Sequence, residues 1–175
     1  MAEWLRREFD ADVTWLPFDL HPEYPPGGLP RAELEARYGD RFHDALRRRF
    51  AEEGLDYAPN PEVVPRTLDA LRLTELARDL GRHREVHDRL MDAYWRDGVD
   101  LGDHAELRRL ASDLPADEVE RVLTTDAFGD RVYALTVQAQ SIGITGIPAF
   151  LLDRRLIVPG AQPHEVFEQA FAQLA

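Results

Sequence analysis

Near the end of the chain stands a segment from which the rest of the sequence can be interpreted: Gly143-Ile144-Thr145-Gly146-Ile147-Pro148-Ala149-Phe150-Leu151-Leu152. A turn of small residues leads into a proline, and the proline leads directly into an apolar run. Proline has no N–H to donate to a ladder, so within sheets it belongs at the first residue of a strand or on an edge. A Gly-Ile-Pro step before a strand is also a place where a cis peptide bond would make a tight, fixed turn. The segment therefore predicts a loop that ends in a strand at Pro148.

The residues after this segment predict a hairpin followed by a helix. Asp153-Arg154 is typical of a short turn, and an apolar second strand follows from Arg155 to Val158. Gly160-Ala161-Gln162-Pro163 then precedes a helical pattern that runs from His164 to Leu174, with proline in the first turn, where a helix tolerates it.

The residues before the segment are mostly helical. Met1 to Phe9 reads as a helix fragment without an N-cap before it, and Asp12 to Phe18 reads as a strand with apolar residues on both faces. Such a strand is expected in the interior of a sheet that is covered on both sides. Helical patterns then follow at 31–38, 40–53, 67–80, 83–95, 103–110, 115–123 and 130–142, separated by loops at 21–30 and 59–65. Asp40 is the expected N-cap of the second of them.

Composition limits the classes of function. A chain of 175 residues with 44% hydrophobic and 31% charged residues is typical of a globular domain. The formal net charge of −12 makes nucleic acid an unfavourable partner, because phosphates would be repelled. No apolar run approaches the ~20 residues of a membrane span. The N-terminal residues also lack the apolar core of a signal peptide, which favours a cytoplasmic location.

Two residue types are absent. Lysine is missing, which excludes a Schiff base, a P-loop lysine and a lysine general base within this chain. Cysteine is also missing, so these residues can form neither a disulfide nor a thiolate nucleophile nor a thiolate metal site.

The chain resembles the DsbA family of thioredoxin-fold proteins. The branch most similar in detail contains the FrnE-like oxidoreductases and the 2-hydroxychromene-2-carboxylate isomerases, which share a Gly-Val-Pro-Thr-Phe loop, a hairpin and Gly-Ala-Gln-Pro before the last helix. Ile147 and Ala149 replace the family's Val and Thr. The matching segments are 146–150, 160–163, 15–26, 93–95 and 98–103, so the resemblance covers essentially the whole chain.

This resemblance implies an α/β protein with a thioredoxin-like fold and an inserted all-helical domain. The implied division is a first thioredoxin-like part at 1–29, a helical insertion at 30–128 and a second thioredoxin-like part at 129–175. Family members begin with a further strand and a Cys-x-x-Cys motif, and no position in this chain matches either. The implied sheet therefore lacks its N-terminal strand, and no catalytic residue can be assigned.

A missing central strand would leave its two neighbours roughly twice the ordinary spacing of about 4.8 Å apart, too far to pair. Three explanations are open. The natural protein is longer at its N-terminus, the two strands close up directly, or another chain donates a strand.

The resemblance also implies a substrate site. Gly146, Ile147 and Pro148 would present an edge of backbone to an extended peptide, and Ala161 and Gln162 precede a helix whose free amides favour anions. Trp95, beside Tyr94, would cap the cleft or simply pack between helices. Glutathione-binding relatives carry Ser-Asp where this chain has Ala161 and Gln162, which weakens the expectation of glutathione as a cofactor.

Three functions follow as hypotheses. The first is thiol–disulfide exchange on a peptide or small-molecule substrate, with the Cys-x-x-Cys absent from this chain. The second is a glutathione-dependent isomerase or transferase of the 2-hydroxychromene-2-carboxylate isomerase type. The third is a redox-inactive peptide-binding module. Relatives are often dimers, so a homodimer is open. His83 and His87 have an i, i+4 spacing that can bind metal, but Arg84 stands where a zinc-protease motif needs Glu, and no metal site is expected.

Overall fold

A computed structural model of the chain describes residues 1–39, 41–58 and 62–174, without the side chains of residues 38, 41–43 and 45. In chain order the elements are α1 (Ala2–Phe9), β1 (Leu29–Pro30), α2 (Arg31–Tyr38), α3 (Arg41–Glu52), β2 (Val63–Val64), α4 (Leu68–Asp79), α5 (His83–Trp95), α6 (His104–Leu110), α7 (Ala116–Thr124), α8 (Gly129–Ser141), β3 (Ala149–Leu152), β4 (Leu156–Pro159) and α9 (His164–Leu174). The fold is thioredoxin-like and α/β, with an inserted helical part, as the family resemblance implies.

The described chain forms two compact units. We call His21–Val132 the helical unit, and Met1–Leu20 together with the residues from Tyr133 onward the sheet unit. The family resemblance implies domain boundaries at residues 29/30 and 128/129. These boundaries remain a prediction.

The helical unit is built around α4. This helix packs against α5 and α7, and its fully buried Leu73 and Ala77 meet Val86 of α5 and Val122 of α7 in one apolar core. Gly81 ends the α4 segment with a positive φ of 71°, a conformation that glycine adopts without strain. A short antiparallel ladder of β1 and β2, with Leu29 opposite Val64, lies where the sequence predicts loops.

Charged side chains of α4 are also buried in the helical unit. Glu75 is 1% exposed and accepts hydrogen bonds of 3.1 and 3.2 Å at its two carboxylate oxygens from Nε of Arg78. A guanidinium nitrogen of Arg131 lies 3.6 Å from the same carboxylate and 2.7 Å from Asp79. The carboxylate is therefore compensated by cations from two helices, which is the arrangement that makes a buried charge tolerable.

Arg72, one turn before, is buried as well. Its guanidinium donates to the backbone carbonyls of Val122 and Thr125 at the end of α7, and it forms an ion pair of 2.9 Å with Asp69. Arg72 thus satisfies carbonyls that the end of a helix leaves without partners.

The sheet unit contains the hairpin that the sequence predicts. β3 and β4 are antiparallel, with Ala149 opposite Pro159 and Leu152 opposite Leu156, and the left-handed residues Asp153 and Arg154 form the turn. One face of the hairpin is covered by α1 and α9, where Leu152 and Val158 pack against Leu5, Phe167 and Ala170.

The predicted strand at Asp12–Phe18 is wrong. Among the described residues this segment has no ladder partner, although its side chains alternate in burial as those of a strand do, and Leu16 is 61% exposed. It is held by other contacts: Arg6 donates to the carbonyl of Val13 over 3.2 Å, and the amide of Asp19 donates to Oγ1 of Thr136 over 3.0 Å. A strand needs a neighbour within about 4.8 Å, and the described sheet supplies none to this segment.

The helix boundaries agree closely with the sequence-based expectation. α5 and α9 have the predicted bounds, and α1, α4, α7 and α8 differ from theirs by one or two residues at an end. Asp103 is the N-cap of α6, because its Oδ1 accepts a hydrogen bond of 2.7 Å from the amide of Ala105. The proposed N-cap Asp40 and residues 59–61 of the predicted proline loop lie outside the described residues.

Candidate functional site

A cleft of about 240 Å³ lies at the start of β3 in the sheet unit. The loop that leads into it leaves α8 at Gly143, whose φ of +91° is a glycine conformation. The cleft is lined by residues 143–149 together with Ile157, Pro159 and Gly160. Most of the segment 143–152, from which the sequence analysis starts, thus also lines the cleft.

The Ile147–Pro148 peptide bond is cis. Beyond Pro148 the chain is fixed to β4, because the amide of Gly160 donates to the carbonyl of Pro148 over 2.7 Å. Ile147 is 56% exposed. An exposed, apolar residue therefore stands immediately before the anchored strand.

The register of the hairpin fixes which backbone groups of β3 remain open. In an antiparallel ladder, backbone groups of alternate residues point to opposite edges of the strand. The hydrogen bond from Gly160 shows that the backbone carbonyl of Pro148 faces β4. By alternation the backbone groups of Phe150, opposite Val158, and of Leu152, opposite Leu156, face β4 as well. Ala149 and Leu151 consequently turn their N–H and C=O groups to the other edge, where no described residue pairs with them. We call this the open edge.

The face of the hairpin that α1 and α9 leave uncovered carries apolar side chains. Leu151 lies opposite Ile157, and Ala149 opposite Pro159, so the side chains of these two pairs share that face. Leu151 is 44% exposed, and Ala149, Ile157 and Pro159 line the cleft. The residues that line the cleft include no charged side chain, although the chain as a whole carries −12.

The structure brings several predicted site residues together. Gly146, Ile147 and Pro148 line the cleft, and Ala161 and Gln162 follow Gly160, which lines it too. Nε2 of Gln162 donates to the carbonyl of Pro159 over 2.8 Å, so this amide is already engaged within the turn before α9.

Trp95 lies in the helical unit, at the end of α5. Its ring contacts Phe50, Tyr57 and Tyr94, with centroids 5.6, 6.1 and 4.8 Å away. Burial raises the pKa of the Tyr94 phenol. These contacts are those of packing between helices, which was the alternative interpretation of Trp95; its proposed role as a cap stays a prediction.

His83 and His87 stack with ring centroids 5.6 Å apart on α5. In the part of the chain that the structure describes, they are not joined by a third potential metal ligand, and no set of three such residues occurs. Burial lowers the pKa of His83 to about 4, with a further contribution from the positive charge of Arg78, and burial also lowers the pKa of His87. Within the described residues no helix is both long and apolar enough to span a membrane.

The lowered pKa of His83 predicts that the folded protein loses stability in acid. Because the pKa of folded His83 lies near 4 and its ordinary value is 6.5, the unfolded chain binds an additional proton between these values. The free energy of unfolding is then expected to fall as the pH drops from 6.5 toward 4. Urea unfolding at a series of pH values should show this decrease and a smaller one in His83→Gln; an equal pH dependence in both proteins would contradict the prediction.

Sequence interpretation found the site residues only in part. It identified Gly146, Ile147 and Pro148, but not Ala149 and Leu151 as backbone groups without partners, nor Ile144 and Ile157 as walls of the cleft. The register of the hairpin is the signal that would have identified the backbone groups of Ala149 and Leu151. Once the carbonyl of Pro148 is known to face β4, the alternation of backbone groups along a strand places those of Ala149 and Leu151 on the opposite edge.

The hairpin, the proline loop, the last helix and the inserted helices together define a thioredoxin-like protein. The sequence profile of the DSBA-like thioredoxin domain matches residues 1–172. The chain therefore belongs to the family of DSBA-like thioredoxin domains.

Individual relatives agree with this assignment. A probable DsbA oxidoreductase from Streptomyces coelicolor is 35% identical and superposes with a TM-score of 0.78, covering 89% of this chain and 72% of that one. The uncharacterized protein YwbO of Bacillus subtilis is 25% identical over 167 residues, which is 93% of this chain and 82% of YwbO. A 2-hydroxychromene-2-carboxylate isomerase is 16% identical with a TM-score of 0.72, covering 99% of this chain and 86% of that one, and this likeness concerns the fold.

Proposed function

We propose that the chain binds extended peptides that carry a thiol or a disulfide, the substrates of DsbA-like thiol–disulfide exchange, at the cleft around Ile147 and Pro148. The observation that carries the proposal is the position of Ile147, which is 56% exposed, lines the cleft and directly precedes the cis bond to Pro148 at the start of β3. Pairing of an extended peptide with exposed backbone at the end of a strand is a general mode of peptide recognition, in which main-chain hydrogen bonds supply affinity.

The exchange step itself needs thiolates. In that reaction a thiolate attacks one sulfur of the substrate disulfide and forms a mixed disulfide, while the other sulfur leaves as a thiolate. A second thiolate then attacks the first protein sulfur, forms a disulfide with it and releases the substrate's remaining sulfur as a thiolate. These 175 residues contain no cysteine, so any attacking or resolving thiol has to be supplied from outside them. The role proposed for the described residues is to hold the substrate beside those thiols.

The expected result is binding without turnover. Fluorescence anisotropy of a labelled peptide with one intrachain disulfide should show saturable binding to the 175-residue chain. An insulin-reduction assay with dithiothreitol should proceed at the rate of dithiothreitol alone. The proposal would be overturned if peptides of every sequence failed to bind, or if the chain accelerated insulin reduction.

A second candidate is a glutathione-dependent isomerase or transferase. Pro159 and Gly160, directly before α9, line the same cleft as Ile147, so a tripeptide there would reach both the backbone of Ile147 and the amides at the start of α9. Calorimetric titration with glutathione distinguishes the candidates, since this function requires saturable binding of glutathione and peptide exchange does not.

The location and the assembly state are proposed from the resemblance alone. We place the protein in the cytoplasm, as in the branch that it resembles, with a homodimer as an open alternative to a monomer. Fractionation of cells and light scattering of the purified protein test the two statements separately.

A further inference from the structure

We propose that the outer edge of β4 and the adjoining flank of α9 form a surface through which two copies of this chain associate about a two-fold axis. This surface lies within the sheet unit, on the side of β4 away from β3. A strand paired with the open edge of β3 would be two strand spacings from β4, about 10 Å, and would not cover the surface. The association is independent of peptide binding at Ile147.

A groove of about 330 Å³ lies between β4 and α9. None of the residues that line the groove is charged, although charged residues make up 31% of the sequence and the net charge is −12. On α9 the lining includes Val166, Gln169 and Gln173, which are all exposed. Two copies of a strongly acidic chain repel each other least where each presents an uncharged surface.

The backbone of β4 has a single residue with both of its polar groups free at the outer edge. The amide of Gly160 faces β3, because it donates to the carbonyl of Pro148, so alternation turns the backbone groups of Ile157 and Pro159 outward. No other described strand pairs with β4 at that edge. Proline has no N–H, and the carbonyl of Pro159 accepts a hydrogen bond of 2.8 Å from Nε2 of Gln162. Within Leu156–Pro159, Ile157 is therefore the residue that offers both a donor and an acceptor.

A donor and an acceptor on one residue match the same residue of a second copy. About a two-fold axis, the N–H and C=O of Ile157 meet the C=O and N–H of the identical residue, as in a hydrogen-bonded pair of an antiparallel ladder. A long extended peptide would gain less. Pro159 supplies no donor to it, and the amide of Arg155 is already bonded to the carbonyl of Leu152 over 2.9 Å. The edge thus favours a short symmetrical pairing over a strand added along its length.

The flank of α9 fits the same symmetry. A two-fold axis perpendicular to the sheet keeps the α9 helices of both copies on one face, where their flanks meet antiparallel. Val166 and Gln173 then face each other across the axis, and Gln169, which lies between them, comes beside its own copy. Residues near a two-fold axis contact their own copies. An amide can both donate to and accept from an identical amide, whereas a charged side chain would meet its like.

Analytical ultracentrifugation of the 175-residue chain tests the association. As the protein concentration rises from about 1 µM to about 1 mM, the mass should reach twice the chain mass of 20.0 kDa and not exceed it. Added salt should strengthen the association, because it screens the repulsion between two copies that each carry −12. A mass of 20.0 kDa at every concentration, or growth beyond two copies, would overturn the inference.

A matched pair of variants locates the surface. Gln169→Glu places a carboxylate in the groove, and Ala172→Glu places one at an exposed residue of α9 that does not line it. Each new carboxylate follows a glutamate by four residues, Glu165 or Glu168, so the local repulsion is the same. Circular dichroism checks that both variants fold. Gln169→Glu should raise the dissociation constant of the dimer at least about 10-fold and Ala172→Glu less than about 2-fold. Equal effects would place the contact elsewhere and overturn the inference.

Charge complementation tests whether Gln169 lies beside its own copy. Gln169→Arg alone should weaken the dimer as Gln169→Glu does, because like charges meet at the axis. An equimolar mixture of the two variants should associate more tightly than either alone, since a carboxylate then meets a guanidinium. A mixture that associates no better than its components would contradict the two-fold arrangement.

Amide hydrogen exchange tests the backbone pairing. The amide of Ile157 should exchange more slowly at dimeric than at monomeric protein concentrations, while the amides of Leu156 and Val158, which face β3 or flank the axis without pairing across it, should change little. Unaltered exchange of Ile157 in a chain whose mass doubles would overturn the inference. Slowing of the same amide by the disulfide-bearing peptide in the monomeric chain would assign the groove to a peptide and overturn it as well.

Discussion

Replacement of Phe167 by alanine is expected to lower the free energy of unfolding of the sheet unit by about 3–5 kcal/mol. The ring is fully buried and lies edge-on to Phe150 at 4.9 Å and to Trp4 at 6.3 Å between centroids. It connects α9 to the hairpin and to α1, so its removal leaves a cavity that three elements would have to close. Urea unfolding followed by tryptophan fluorescence measures the loss.

Val166→Ala is the control for this substitution. Val166 is the preceding residue of α9, and its side chain is exposed, so its truncation should change the free energy of unfolding by less than about 0.5 kcal/mol. Two results would mean that α9 is not held to the hairpin by this core. One is a loss below about 1 kcal/mol in Phe167→Ala, which is far under the usual cost of removing a buried ring. The other is an equal loss of stability in the two variants.

Replacement of Arg78 by methionine is the second large effect, expected to cost about 3 kcal/mol in the helical unit. Nε of Arg78 is bonded to both carboxylate oxygens of Glu75, whose side chain is 1% exposed. Without Arg78 that carboxylate stays buried with Arg131 at 3.6 Å as its remaining described cation. Breaking one side of a buried ion pair is costly because the other charge is left poorly compensated.

Arg96→Met is the matched control for Arg78→Met. Arg96 pairs with Asp92 and Asp97 at 3.1 and 2.9 Å, but all three side chains are largely exposed to solvent. Exposed pairs of this kind contribute about 0–1 kcal/mol. Equal losses in Arg78→Met and Arg96→Met would contradict the role assigned to the buried carboxylate.

Much of this fold can be predicted from the sequence because its signals are local. The periodicity of α4 and α5, the proline and glycine at the ends of helices, and the Asp153-Arg154 turn each depend on a few neighbouring residues. The hairpin and the bounds of α9 follow from these signals alone. The substrate site at Gly146, Ile147 and Pro148, by contrast, was implied by the family resemblance and not by these local signals.

The segment at Asp12–Phe18 shows where local signals fail. Its side chains alternate as those of a strand do, and the structure retains the alternation in their burial. Strand assignment, however, requires a partner, and a partner is a property of the whole sheet that no local pattern contains. The backbone groups of Ala149 and Leu151 were missed for the same reason, since only the register with β4 shows which edge they face.

Amide hydrogen exchange at the open edge tests strand addition to β3 most directly. In the chain without ligand, the amides of Ile147, Ala149 and Leu151 should exchange faster than those of Phe150 and Leu152, which face β4. Addition of the disulfide-bearing peptide of the binding assay should slow the exchange of Ile147, Ala149 and Leu151 and leave the amides of the helical unit unchanged. If the peptide binds while the exchange of these three amides is unaltered, the peptide is not held by strand addition, and the open edge is not the binding site.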